Sequence, residues 1–225
     1  MPVQVKICGL KNQDAVDCAV DAGADYLGFV FYPKSPRNLS VQQSAQLCRH
    51  VPRHVKTVAV TVDADNALLD EICQTMQPDY VQLHGKESPE RMVELEDRYG
   101  KIRCEQSKML LIKAIPVGAH MEWDSIDRFN TEHVQMLLFD AKAREGELPG
   151  GRGATIDWKL FERKAFEDLW RETPWILSGG LNVDNVGEAL SQTGARIVDV
   201  SSGVESSAGV KDKALIEQFI RAAKA

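Results

Sequence analysis

The sequence lacks the features that mark several specialised classes of protein. It has no run of about 18 apolar residues, so we expect no membrane-spanning helix. Its first residues, MPVQVKICGLKNQD, contain no basic stretch followed by an apolar core, so we expect no secretory signal. Positive charge is in deficit, with 27 Lys and Arg against 33 Asp and Glu. The resulting net charge of −6 argues against a nucleic-acid partner.

Cysteine is also scarce. The five cysteines, Cys8, Cys18, Cys48, Cys73 and Cys104, stand singly, without a CxxC pair or the Cys/His spacing of a metal site. This pattern fits thiols in a reducing compartment, and we therefore expect a cytoplasmic protein. A lone cysteine in an apolar segment is ordinarily a small buried side chain, and each of the five is first interpreted in that way.

What the sequence does contain is a repeated alternation of strand-like and helix-like segments. Eight short β-branched runs recur along the chain, mostly at regular intervals. The strands are predicted to begin near Val3, Tyr26, Val55, Tyr80, Met109, Val134, Trp175 and Ile197. The helices are predicted over residues 12–22, 40–51, 63–76, 89–99, 118–130, 156–171, 182–193 and 212–223.

This alternation implies a parallel sheet surrounded by helices. Two architectures fit eight such units in 225 residues, a closed barrel and an open doubly wound sheet. The open sheet usually carries a GxGxxG fingerprint after its first strand, whereas here the first strand runs into CGLKNQD. Eight is also the number of strands at which a barrel closes around a filled core. No linker divides the chain, so we predict a single (βα)8 TIM barrel, an α/β fold, over residues 1–225.

Polar residues cluster where the predicted strands end. Barrel enzymes carry their catalytic side chains at the carboxyl ends of the strands. Because side chains alternate at period 2, Lys6 and Cys8 share a face of the first strand, and Gln82 and His84 share a face of the fourth. Such polar groups are costly inside a barrel unless they serve a site. Further candidates on later strands are Lys113, Asp140 and Asp199.

Each of these candidates also has a purely structural explanation. The two lysines could pair with acids, because a buried charge must be matched. The amide and imidazole of the fourth strand could satisfy backbone groups at the strand end. The two aspartates could be helix caps or loop organisers, although each follows an apolar run at the place where a barrel enzyme needs an acid.

Two glycine-containing loops indicate a phosphate site. SGGLN at 178–182 follows the seventh predicted strand and SSGVE at 201–205 follows the eighth, the two positions at which this fold binds phosphate. Glycine lets backbone N–H groups approach an anion closely. The one oversized connection, residues 142–155, has the length expected of a lid or binding loop. We assign to substrate binding the phosphate-loop residues Gly179, Gly180, Ser202 and Gly203, together with Gln82 and His84.

The segments together resemble the phosphoribosylanthranilate isomerase family of tryptophan biosynthesis. The resemblance runs through VKICGL at 5–10, GADYLGFVFYPKSPRNLS at 23–40, VQLHG at 81–85, LLFDA at 137–141, GGRGATIDW at 150–158, LSGGLNVDNV at 177–186 and VDVSSGVESSAGVKD at 198–212. It implies a (βα)8 fold, an Amadori rearrangement of a small phosphoribosyl substrate, and neither a metal nor a redox cofactor. The chain departs from the family pattern at Lys11, Arg152 and Ile156.

Carried over residue by residue, the resemblance implies that Cys8 is the general base and Asp140 the general acid. Arg37 takes the place of the residue that binds the anthranilate carboxylate, for which a planar guanidinium is well suited. Asp199 matches an acid with a supporting role near the bridging nitrogen. A cation close to the thiol would favour the thiolate, and Lys6 is our hypothesis for that cation.

Two alternatives stay open at this stage. One is a histidine-pathway isomerase, which performs the same rearrangement on a different aglycone and resembles a version with Asp at the Cys8 position. The other is a non-catalytic barrel that binds a phosphosugar. Cys8 and Arg37 argue against the histidine-pathway isomerase, and the presence of Cys8, Asp140 and Arg37 together argues against the non-catalytic barrel. The sequence allows either a monomer or a homodimer.

Overall fold

A closed barrel of eight parallel strands forms the centre of the molecule. The computed structural model describes residues 2–99, 110–119, 126–129, 133–142, 155–161 and 174–225. The strands hydrogen-bond in chain order, and the last pairs with the first, which confirms the predicted fold class. They are β1 Gln4–Cys8, β2 Tyr26–Phe31, β3 Lys56–Thr61, β4 Tyr80–Leu83, β5 Leu110–Val117, β6 Met136–Ala141, β7 Trp175–Leu177 and β8 Ile197–Val200.

Helices connect the strands on the outside of the barrel. The described residues contain α1 Gln13–Asp21, α2 Val41–Cys48, α3 Asn66–Thr75, α4 Pro89–Tyr99, α5 Val186–Thr193 and α6 Lys213–Lys224. Four of these helices begin after a side chain that accepts a hydrogen bond from a backbone N–H of the first turn, which is the usual N-cap arrangement. The four caps are Asn12, Ser40, Asp65 and Asp212.

Several predicted segments fall outside the described residues. They include most of the predicted helices 118–130 and 156–171, the long loop 142–155 with Arg152, and Cys104. Within 156–171 the described part contains a 3₁₀ turn at Trp158–Phe161. No helix in the described part of the chain is long and apolar enough to cross a membrane.

The strands separate two apolar layers. Side chains that alternate along each strand point either into the barrel or toward the helices. The inner layer contains Cys8, Tyr26, Val30, Val58, Val60, Ile112, Ala114, Met136, Leu138, Ile176 and Ile197. The outer layer is larger and fills the space between the strands and helices. Each fully buried aliphatic or aromatic side chain contributes roughly 1.5–3 kcal/mol, so these layers supply the main driving force for the fold.

Lys113 corrects one expectation from the sequence, that this lysine is among the polar groups of the barrel interior. Its neighbours in the alternation, Leu111 and Ile115, belong to the outer layer, so Lys113 lies on the helix-facing side of β5. Its Nζ donates to Glu87 Oε2 at 2.7 Å and to the Gly85 carbonyl at 2.7 Å. This buried ion pair fixes the loop after β4. Lys113 therefore has the structural role that the sequence left open, the pairing of a buried lysine with an acid.

Candidate active site

The carboxyl end of β1 carries a buried lysine and a buried cysteine on the inner face. Lys6 is fully buried, and its Nζ donates to Asp199 Oδ1 at 2.8 Å across the β1–β8 pair. The other carboxylate oxygen, Oδ2, accepts from Ser178 Oγ at 3.1 Å. A buried charge is tolerated when it is paired and hydrogen-bonded, and both conditions are met here. Asp199 therefore holds the ammonium group of Lys6 in place.

Cys8 lies beside this ion pair, and its acidity reflects opposing influences. Burial raises the pKa of the Cys8 thiol, and the positive charges of Lys6 and Lys211 act in the opposite direction. The effect of burial prevails, and the pKa of the thiol lies above its ordinary value. The thiol therefore keeps its proton at neutral pH unless a further positive charge comes close.

A glycine on the next strand makes room for this arrangement. Gly28 is the partner of Cys8 in the β1–β2 register. A Cβ atom at Gly28 would lie 2.9 Å from Cys8 Sγ and 3.2 Å from Lys6 Nζ. Gly28 is not among the site residues predicted from the sequence, although a glycine inside a strand often marks a close approach by another group.

Gln82, His84 and Asp140 form a hydrogen-bonded chain between β4 and β6. Gln82 Nε2 lies 2.8 Å from His84 Nδ1, and His84 Nε2 lies 3.1 Å from Asp140 Oδ2. An amide nitrogen can only donate, so Nδ1 accepts, the imidazole proton is on Nε2, and Nε2 donates to Asp140 Oδ2. Asp140 Oδ1 also accepts from the Ala141 N–H at 2.9 Å. These contacts fix the orientation of the Asp140 carboxyl group.

Arg37 lies in the loop after β2 and is nearly buried. Its guanidinium forms a two-pronged ion pair with Glu205, and Lys211 binds the same carboxylate. Arg37 was predicted from the sequence, whereas its partners Glu205 and Lys211 were not. Glu205 and Lys211 lie within the VDVSSGVESSAGVKD motif, so their charged side chains beside a glycine loop were the available signal.

The two loops predicted to bind phosphate lie against each other. Gly179 and Gly180 have φ angles of 85° and 65°, which favour glycine. A Cβ atom on Gly203 would lie only 2.0 Å from the Leu181 carbonyl oxygen, so the loop after β8 can rest on the loop after β7 only with glycine there. Ser202 begins the 3₁₀ turn Ser202–Val204 at this contact.

These groups surround the same end of the barrel. β1 and β6 are separated by two strands in the direction of β8, so Cys8 and Asp140 approach the barrel mouth from different sides. The loop that carries Arg37 and the two glycine loops follow β2, β7 and β8 at that end. Among the described residues, no three His, Cys, Asp or Glu side chains form a group that could hold a metal ion. Groups that can transfer protons therefore lie at the same end of the barrel as a guanidinium and two glycine loops.

The chain is similar to known proteins over almost its whole length. Residues 5–222 match the family N-(5'phosphoribosyl)anthranilate (PRA) isomerase. The chain is 49% identical to N-(5'-phosphoribosyl)anthranilate isomerase of Parvibaculum lavamentivorans, covering 100% of this chain and 99% of that protein. It is 45% identical to the enzyme of the same name from Sinorhizobium fredii, covering 100% of this chain and 94% of that protein.

Solved structures give the same result. Phosphoribosyl anthranilate isomerase from Thermotoga maritima superposes with a TM-score of 0.80 at 36% identity, covering 99% of this chain and 98% of that chain. A phosphoribosyl anthranilate isomerase in complex with reduced 1-(o-carboxyphenylamino)-1-deoxyribulose 5-phosphate superposes with a TM-score of 0.79 at 34% identity, with the same coverage.

Proposed function

Because the chain belongs to the phosphoribosylanthranilate isomerase family, we propose that it performs the family's reaction with Cys8 as base and Asp140 as acid. The protein is an aldose–ketose isomerase of tryptophan biosynthesis. It converts N-(5'-phosphoribosyl)anthranilate into 1-(2-carboxyphenylamino)-1-deoxyribulose 5-phosphate. The ribose ring of the substrate is closed and the product is an open aminoketose, so one proton is delivered and another is removed.

Asp140 delivers the first proton. Its carboxyl group protonates the ring oxygen, the C1'–O bond breaks, and the bridging nitrogen becomes an iminium cation. The hydrogen bond from His84 Nε2 and the backbone N–H of Ala141 hold the carboxyl group in one orientation for this transfer. Gln82 Oε1 is buried and has no hydrogen-bond partner among the described residues, and a substrate hydroxyl would satisfy it.

Cys8 removes the second proton. Formation of the iminium cation places a positive charge next to C2', and that charge adds to those of Lys6 and Lys211 in favouring the thiolate. The thiolate, which has released its own proton to solvent, takes the proton from C2', which gives an enolamine, and the enolamine tautomerises to the ketone. The acidity of the thiol thus increases at the step in which it must act as a base. Asp199 supports this step by holding Lys6 beside the sulfur.

The two ends of the substrate are bound away from the reacting bonds. Arg37 binds the anthranilate carboxylate, and backbone groups of the loops at Gly179, Gly180, Ser202 and Gly203 bind the phosphate. Both contacts position the substrate and do not take part in bond making. Arg37→Ala is therefore expected to raise KM with little change in kcat, and a normal KM in that variant would remove the assignment.

The observation that carries the proposal is the pair Cys8 and Asp140, both buried and both at carboxyl ends of barrel strands. The test is incubation with N-(5'-phosphoribosyl)anthranilate while the anthranilate fluorescence is followed. The proposal predicts a rapid loss of fluorescence with the wild type and a loss at least about 100-fold slower with Cys8→Ser or Asp140→Asn. Binding without turnover by the wild type would support the non-catalytic barrel, and turnover only of the histidine-pathway substrate would support that isomerase.

We place the reaction in the cytoplasm because a base that is a thiol must stay reduced. None of the cysteines in the described part of the chain forms a disulfide. A Thermotoga maritima relative is described as dimeric, and for this chain we retain both a monomer and a homodimer. Analytical ultracentrifugation of the intact protein distinguishes the two by mass.

A further inference from the structure

The guanidinium of Arg37 is held by a partner from the opposite end of the sequence. Arg37 Nε donates to Glu205 Oε1 at 2.7 Å, and Arg37 Nη2 donates to Glu205 Oε2 at 2.7 Å. The Arg37 side chain is 10% exposed and the Glu205 side chain 3%. Two parallel hydrogen bonds between a planar guanidinium and a planar carboxylate fix both the direction and the plane of the guanidinium.

Glu205 is itself held on both oxygens. It starts β9 (Glu205–Ser207), which pairs with β10 (Val210–Lys211) in a short hairpin after β8. Lys211 Nζ donates to Oε1 at 2.8 Å, and the Gly209 N–H donates to Oε2 at 3.1 Å. Burial acts to raise the pKa of Glu205, but the hydrogen bond from Arg37 and the charge of Lys211 outweigh it, and the pKa is lowered. Glu205 is therefore ionised at neutral pH.

The hairpin is also tied to the strand that carries the base. Lys211 Nζ donates to the Ser201 carbonyl at 2.8 Å, and Ser201 Oγ donates to the Cys8 carbonyl at 3.1 Å. The charges of Arg37, Glu205 and Lys211 sum to one positive charge. The group can therefore hold its arginine rigidly through an acid and still attract a carboxylate.

We propose that Glu205 is a positioning residue that aims Arg37 at the carboxylate of the substrate. The proposal rests on the proposed function, since it requires that Arg37 bind that carboxylate. It goes further by assigning a role to an acid in the phosphate-side loop: Glu205 sets the geometry of recognition at the aromatic end of the substrate. Glu205 does not touch the reacting atoms, so its loss affects binding more than the chemical step.

The variant Glu205→Gln distinguishes two effects of Glu205, its hold on the orientation of Arg37 and the repulsion between its charge and the substrate carboxylate. It removes a negative charge near the substrate carboxylate, so electrostatics or competition for Arg37 predicts a lower KM. If Glu205 orients Arg37, KM should instead rise, because one of the two hydrogen bonds is lost and the guanidinium of Arg37 can rotate. We expect KM to rise about tenfold, with kcat within about threefold of the wild type.

A matched control exists on the outside of the barrel. Arg98 donates through Nε and Nη2 to the two oxygens of Asp70, which is the same two-pronged geometry. Asp70→Asn removes that pair without touching the site, and we expect its KM and kcat to equal those of the wild type. If both variants raised KM equally, the effect would be a general loss of structure, and the proposal would be overturned.

Binding of two inhibitors provides a readout that a structural role would not change. One is reduced 1-(o-carboxyphenylamino)-1-deoxyribulose 5-phosphate, and the other is its analogue without the carboxyl group. Glu205→Gln is expected to weaken the first about tenfold and to leave the second unchanged. Equal weakening of both, or of neither, contradicts the proposal. If Glu205→Gln does not fold, Glu205→Asp is measured in its place; it keeps the charge but is one methylene too short for the two-pronged pair.

The failure of the inference differs from the failure of the proposed function. If the wild type does not turn over the substrate, or if Arg37→Ala binds it normally, the proposed function is wrong. If Arg37→Ala raises KM and Glu205→Gln does not, the function stands and the role of Glu205 is refuted.

Discussion

A methyl group added at Gly28 tests whether the reaction depends on the position of the Cys8 sulfur. In Gly28→Ala, the new Cβ would lie 2.9 Å from Cys8 Sγ, 3.1 Å from Cys8 Cα and 3.2 Å from Lys6 Nζ. Non-bonded heavy atoms prefer separations of about 3.5–4.0 Å, so the neighbouring atoms must move by roughly 0.5–1 Å. The Cα is held in the β1–β2 ladder and the ammonium group by Asp199, so the sulfur takes up much of the movement.

The expected cost follows from that displacement. A misplacement of about 1 Å can reduce the rate by about 100-fold, so we expect kcat to fall roughly 10- to 100-fold in Gly28→Ala. Overpacking of a filled core typically costs about 1–3 kcal/mol, which predicts a modest decrease in the free energy of unfolding. The assays are the rate of fluorescence loss at saturating substrate and urea denaturation of the same preparation.

Gly187→Ala is the matched control. Gly187 lies in α5, and a Cβ atom there would meet nothing within 4 Å. Alanine favours a helix over glycine by about 1 kcal/mol, so this variant is expected to be slightly more stable and fully active. If Gly28→Ala kept the wild-type kcat, Cys8 would not need the position that the structure gives it, and its role as the base would be in doubt.

Two further predictions concern the base and the acid. Because burial places the pKa of Cys8 above the ordinary thiol value of 9.0, kcat/KM should still be rising with pH at pH 9.0, with its inflection at higher pH. Lys6→Met removes a charge that lowers this pKa and leaves that of Asp199, which raises it, so the alkaline inflection should move to still higher pH. An unchanged pH profile would eliminate Lys6 from the mechanism. His84→Leu removes the hydrogen bond to Asp140 and should reduce kcat about tenfold, and an unaltered kcat would show that the bond is not used.

The sequence was sufficient for the fold because the signals that specify it are local. Strand periodicity and cap residues such as Asn12 and Ser40 act within a few residues, and the structure places strands and helices there. The helix predicted over 182–193 begins only at Val186. Asn182 Oδ1 accepts from the Asp184 and Asn185 N–H groups, and this turn occupies the residues that the helix was expected to include.

The contacts within the site depend on residues distant in sequence and were harder to predict. Arg37 and Glu205 are 168 positions apart, and no local pattern indicates that they meet. Gly28 acquires its role only when β1 and β2 lie in register with Cys8 opposite it. Lys113 was interpreted together with the interior groups because its residue type resembled theirs, whereas the alternation along β5 turns it outward.

The central claim, that Cys8 and Asp140 transfer the protons, is tested most directly by separating turnover from binding. In Cys8→Ser and Asp140→Asn, kcat and the affinity for reduced 1-(o-carboxyphenylamino)-1-deoxyribulose 5-phosphate are measured side by side. We predict that kcat falls about 100- to 10,000-fold in each variant while the dissociation constant stays within about threefold of the wild type. A variant that keeps the wild-type kcat would contradict the assignment of its residue.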